Sequence, residues 1–190
     1  MSHLPRHTPR RPWAPLSDLE WHALYPYLAR RSPQGRQTGD LRQRMDAIFR
    51  IACSADPWHA LPPRFGRPDT VSRYFRRLTH AGLWQRLLQD LADLNPGHPL
   101  RAIESFIVRA CRRAQRILGL GFIVFIRRLG LRSALNGPPW LLPDPDLSES
   151  LRRSPLPARP SPDHLRGLKH LLRIAAGRRS IPRCIRLAWP

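Results

Sequence analysis

The sequence predicts a mainly α-helical protein, with a small helical bundle in its first half and a basic, proline-rich, poorly ordered second half. Two apolar stripes and one cluster of prolines carry that prediction. Leu41, Met45, Ile48, Phe49 and Ala52 recur at i, i+4, i+7, i+8 and i+11, which puts them on one face of a helix. Leu83, Trp84, Leu87, Leu88 and Leu91 form a second such face. Between Pro138 and Pro162, eight of 25 residues are proline, a density that opposes any regular core.

In chain order, residues 1–15 hold four prolines and three arginines and are expected to form a disordered basic arm. Ser17 and Glu20 have the spacing of a capping box, and Leu16 and Trp21 that of a hydrophobic staple. A first helix should run from there to about Arg31, bent by Pro26, with a loop over residues 32–39. Asp40 can cap a second helix, with Gln43 three residues in. Asp56-Pro57 should open a short third helix, closed by Pro62-Pro63. Asp69 or Thr70 should cap a fourth, which stops at Gly82. A fifth should span Leu83 to about Ala92 and end before Asn95-Pro96-Gly97. Beyond it, residues 102–126 are apolar and basic with no evident cap or period. Residues 165–176 could form one more basic amphipathic helix.

Charge narrows the function. Lys+Arg number 33 against 13 Asp+Glu, a formal net charge of +20. All but Lys169 of those cations are arginine, the side chain best shaped for bidentate phosphate and guanine contacts. Such a balance is the footprint of a polyanion binder. Residues 100–190 are the more basic part, with 18 basic against 5 acidic residues. Cys53, Cys111 and Cys184 are odd in number and far apart, so neither a disulfide framework nor a zinc site follows. The N-terminus lacks the apolar core of a signal peptide. The longest apolar run, Ile117 to Ile126, is well short of the ~20 residues of a membrane span. A cytoplasmic protein without a membrane partner is expected.

The fourth helix is the candidate reader. Its apolar positions are Val71, Phe75 and Leu78. Its other faces carry Ser72, Arg73, Arg76, Arg77, Thr79 and His80, with Arg67 just before it. A helix in the major groove needs cations for phosphate and guanine and short polar groups for base edges. The connection preceding it is longer than an ordinary helix-turn-helix turn, so the motif would be a variant. Trp21, Trp58 and Trp84 sit on apolar faces and are expected in the core.

These residues resemble a known family. Trp21, Gly35-Arg36, Pro57-Trp58, Leu61-Pro62, Phe65-Gly66, Phe75-Arg76-Arg77 and Gly82-Leu83-Trp84 follow in the order found in the N-terminal domain of transposases of the insertion-sequence-five group. The resemblance covers about residues 16–92. It departs at Ala55-Asp56, where the family usually has Gly-Cys. A weaker likeness over residues 103–115 is to the start of the family's catalytic region. There Glu104, Phe106 and Cys111 stand where Asp, Thr and His are usual. The resemblance implies Mg²⁺ chemistry on three convergent carboxylates for an intact member. Glu104 is the one candidate for the first of them, and the later acids Asp144, Asp146, Glu149 and Asp163 lie in or beside the proline-rich stretch. No catalytic residue, metal or cofactor is therefore assigned to this chain.

The organisation expected is an arm over 1–15, a DNA-binding domain over 16–92, and a truncated or out-of-frame remnant of the catalytic region over 93–190. The function expected is binding of double-stranded DNA at the terminal repeats of the element, in a bacterial cytoplasm and on its nucleoid. Its protein partner would be a second copy or the product of a second transposase reading frame. Two rivals are an intact metal-dependent transposase and the non-functional product of a decaying element.

Overall fold

A computed structural model of the chain describes residues 6–28 and 40–190. The expected loop at 32–39, with Gly35-Arg36, lies outside the described residues, as does the end of the first helix beyond Leu28. The described residues form ten α-helices and no strand. They are α1 (Asp18–Leu28), α2 (Leu41–Ser54), α3 (Pro68–His80), α4 (Leu83–Asp93), α5 (Pro99–Ala102), α6 (Glu104–Leu118), α7 (Leu120–Arg128), α8 (Pro145–Arg153), α9 (Pro162–Ala176) and α10 (Arg183–Ala188). The mainly helical fold and the bundle are as the sequence predicts.

The caps act locally as their chemistry requires. Glu20 accepts from the Ser17 N–H at 2.8 Å and the Ser17 hydroxyl accepts from the Glu20 N–H at 3.3 Å, closing the capping box of α1. Asp40 accepts from the Gln43 N–H at 2.9 Å and starts α2. Helix α3 begins one residue before its expected cap. Pro68 occupies its first turn and Arg67 precedes it, so Asp69 and Thr70 lie inside the helix. The short third helix is replaced by two 3₁₀ turns, Trp58–Ala60 and Pro63–Phe65. Prolines also open α5, α8 and α9. The first turn of a helix does not use the N–H that proline lacks. The proline-rich stretch therefore carries α8 and the start of α9 instead of excluding helices.

The largest departure from expectation lies beyond residue 92. Helix α6 runs through the centre of the bundle and packs against α2, α3, α4 and α7. Phe106, Ile107, Ala110, Cys111 and Ala114 are all fully buried. Phe106 meets Phe49 of α2 with ring centroids 5.7 Å apart. Burying each large apolar side chain stabilises by roughly 1.5–3 kcal/mol, so α6 is a principal source of stability. One continuous core runs from Leu16 to Leu142, and no break in packing falls at residue 92. By contrast, α8 and α9 pack mainly on each other, and most of their side chains face solvent.

Residues 6–15 are packed rather than free. The reason is polar satisfaction at the N-terminus of α6. Glu104 and Ser105 are buried there, and buried polar atoms need partners. The extended N-terminal segment supplies them. The Thr8 hydroxyl donates to Glu104 Oε1 at 2.6 Å, and the Arg11 N–H donates to Ser105 Oγ at 3.0 Å. The Thr8 N–H donates to Ser133 Oγ at 2.7 Å. Farther along, the Leu16 N–H donates to Asp46 of α2 at 2.9 Å. Burial raises the Asp46 carboxyl above the ordinary aspartate value, against that bond and the nearby Arg42. Glu20 behaves oppositely. Burial pushes its pKa up, but bonds from Arg11 and Ser17 outweigh that and leave it below the ordinary value.

Candidate nucleic-acid interface

Helix α3 buries one face and exposes another. Val71, Tyr74, Phe75 and Thr79 point into the bundle. Phe75 sits between Trp58 and Trp84, with centroids at 5.4 and 5.5 Å. Gly82 ends the helix region at φ +74, a conformation that favours glycine. The chain then turns directly into α4, whose buried Leu83 and Trp84 hold α3 in place.

The structure separates the seven residues expected to face DNA. Arg67, Arg73, Arg76, Arg77 and His80 are exposed. Among the described residues none of the four arginines pairs with a carboxylate. Ser72 is half-buried and its hydroxyl donates to the Asp69 carbonyl at 3.1 Å. Thr79 does not belong to the face. It is fully buried, accepts from Trp84 Nε1 at 2.8 Å and donates to the Phe75 carbonyl at 2.9 Å. Thr79 stands four residues after Phe75 and eight after Val71, so the helical period carries it inward.

Cations of neighbouring elements stack on aromatic rings of the bundle, and one of them, Arg44, meets α3 directly. Arg44 of α2 and Arg77 of α3 both stack on the Tyr74 ring, at 5.5 and 5.0 Å from its centroid. Arg50 of α2 and Arg64 of the connection both stack on Trp13, at 5.4 and 5.9 Å. Arg64 also lies over Phe65 at 4.9 Å. An aromatic ring beneath a guanidinium restricts where it points while leaving its N–H groups free to donate. Sequence reading missed Arg44, Arg50 and Arg64. Their signal was the placement of Trp13, Phe65 and Tyr74 within arginine-rich segments.

The proposed first carboxylate lies in a different setting. Glu104 stands in the first turn of α6, not on a strand. Its oxygens accept from Thr8, from Arg101 at 2.8 Å and from Arg6 at 3.2 Å. Two guanidinium groups and a hydroxyl donor are the wrong surroundings for a divalent cation, which needs several oxygen acceptors. The residues at Glu104 do not fit a metal. Asp144 caps α8 and pairs with Arg127, Glu149 pairs with Arg152 and Arg153, and Asp163 pairs with Arg166. Among the described residues no group of three or more His, Cys, Asp or Glu could hold a metal ion. No helix there is long and apolar enough to cross a membrane.

Fold and face together define a basic, all-helical module with an arginine-bearing helix held on a bundle. Residues 16–88 match the family model described as "Putative transposase of IS4/5 family (DUF4096)", and this segment corresponds to an N-terminal domain of such transposases. No curated protein and no solved structure matches the chain. The ordered residues noted in the sequence fall within this segment. Leu61, Phe65, Phe75, Leu83 and Trp84 are core. Gly66 (φ +84) and Gly82 are turn positions. Within the matched segment, these residues help fix the placement of α3.

Proposed function

We propose that the chain is the DNA-binding module of an insertion-sequence transposase and that it binds double-stranded DNA at the terminal repeats of its element. Helix α3 would enter the major groove as the second helix of a variant helix-turn-helix made by α2, residues 55–67 and α3. Arg73, Arg76 and His80 would face base edges and phosphates, with Ser72 at the margin. Arg67, Arg77 and Arg44 would grip the flanking backbone. The observation that carries this reading is the exposed guanidinium face of α3, which forms no ion pair among the described residues, on a helix whose opposite face is locked into the core. Exposed cations that form no ion pair can displace counterions from DNA, and Asp69 is the one acid on the helix. A second copy, or another transposase chain, would be its protein partner at the paired element ends, and its place in the cell would be the cytoplasmic nucleoid.

The test is fluorescence anisotropy with a duplex carrying the element's ends, over a salt series. Replacing Arg73, Arg76 and Arg77 by Ala should weaken binding strongly and leave helicity unchanged. If all three contact phosphates, the slope of log K against log salt should flatten by about 2.7, near 0.9 per contact. Unchanged affinity would show that α3 is not the reader.

A further inference from the structure

A second basic site lies on α6, and no residue of α3 lines it. Arg109, Arg112, Arg113 and Arg116 recur at i, i+3, i+4 and i+7 and so share one side of the helix. They line a cleft of about 480 Å³, closed on its other walls by the end of α2 and by Arg183 and Arg186 of α10. Asp56 supplies the one carboxylate of its lining. Neither these six arginines nor Arg10, which also lines the cleft, pairs with an Asp or Glu side chain among the described residues.

The cleft is built, not a loose collection of surface charges. Arg112 donates to the Trp189 carbonyl at 3.0 Å, to the Ser133 carbonyl at 2.7 Å and to Pro190, and so anchors the segment that follows α10. Arg10 reinforces that anchor through the Leu187 and Trp189 carbonyls. Arg113 is stacked on Trp58 at 4.9 Å and donates to the Asp56 carbonyl at 3.0 Å. The Nε atoms of Arg113 and Arg186 are buried without a hydrogen-bond partner. Burial, with crowding by neighbouring arginines, lowers Arg112 to about 9 and Arg113 to about 10. Cations held this close, with Asp56 the one acid beside them, cost free energy until an anion enters.

We propose that the cleft between α6 and α10 binds closely spaced phosphate groups, held by Arg109, Arg113 and Arg116 on one wall and by Arg183 and Arg186 on the other. Five guanidinium groups exceed what a single phosphate dianion can engage. Their number and the concave shape fit either a free polyphosphate chain or the backbone of one nucleic-acid strand. A duplex suits the convex face of α3 instead. The site does not depend on the reading of α3.

The experiment uses the full chain and sodium tripolyphosphate, titrated at constant ionic strength by isothermal calorimetry, with thermal denaturation alongside. Wild-type protein should bind it and be stabilised. The Arg116→Gln/Arg183→Gln variant changes two exposed side chains, so circular dichroism should be unaltered. Its affinity should fall by about a hundredfold, near tenfold for each charged hydrogen-bond donor removed. The Arg73→Ala/Arg76→Ala/Arg77→Ala variant should keep tripolyphosphate binding whatever happens to its duplex binding, which separates this site from α3. Competition by an eight-nucleotide oligothymidine would identify a strand backbone as the occupant. Failure of that oligonucleotide to displace tripolyphosphate would identify a free polyphosphate. Absence of tripolyphosphate binding by the wild type, or equal binding by the double variant, overturns the proposal.

Discussion

Thr79→Val separates the structural from the DNA-reading role of α3 most sharply. The change is nearly isosteric and keeps the β-branched shape, so no cavity opens. What disappears is a buried hydroxyl that accepts from Trp84 Nε1 and donates to the Phe75 carbonyl. The indole N–H is then left in a fully buried site without an acceptor, at a cost of about 1–3 kcal/mol. The Phe75 carbonyl keeps its place in the helix ladder and adds little. A loss of about 2 kcal/mol in a chain of this size corresponds to a fall in Tm of roughly 4–8 °C. Thermal denaturation by circular dichroism measures that fall. Anisotropy with duplex DNA, well below the lowered Tm, should give wild-type affinity. An unchanged Tm with weakened DNA binding would refute the assignment of Thr79 to the core and return it to the contact face.

Three more outcomes follow from the packing. Glu104→Gln should destabilise by about 2–3 kcal/mol, because Arg101 and the partly exposed Arg6 lose their shared counter-charge. Mg²⁺ at constant ionic strength should not move the wild-type Tm, and a Mg²⁺-dependent rise that the variant abolishes would instead identify a metal ligand. A fragment of residues 16–92 should be far less stable than one of residues 6–142, since only the longer one contains α6. Equal denaturant midpoints for the two would show that the bundle does not need it. Glu20 titrates below its ordinary value in the folded chain, so its contribution is present above the unfolded value and is lost as pH falls through the folded one. Glu20→Gln should therefore flatten the acid limb of the stability profile, and an unaltered limb in acid-denaturation curves would contradict the pairing with Arg11 and Ser17.

Some of this architecture was legible in the sequence because local chemistry decides it. The caps at Ser17/Glu20 and Asp40 and the stripes of α2 and α4 need no distant partner to be recognised. Helix α6 was harder to see. Its stripe of Ile103, Ile107, Ala110, Cys111, Ala114 and Leu118 has the same spacing as that of α2, but small residues and four interleaved arginines blur it. Its likeness to the opening of a catalytic region also pointed to a metal-binding carboxylate at Glu104. The packed N-terminal segment was illegible for another reason. Its proline- and arginine-rich composition resembles that of a free arm, and its fixing contacts come from residues remote in sequence. On α3, the period located the exposed arginines and also shows that Thr79 turns inward. Treating every hydroxyl as surface obscured that. The stacking of Arg44 and Arg77 on Tyr74 depends on how α2 and α3 meet, which no single helix reveals.

The contacts of that N-terminal segment set an order of events during synthesis. Arg6 and Thr8 find Glu104 at separations of 98 and 96 residues, and Thr8 finds Ser133 at 125. A nascent chain cannot close these bonds until Glu104 and Ser133 have emerged, so Arg6 and Thr8 must wait for them. Loop closures of that length are slow, and α6 must already be seated to present the acceptors. Residues 6–11 can thus be secured only once α6 is in place. Until then Glu104 and Ser105 lack most of their partners.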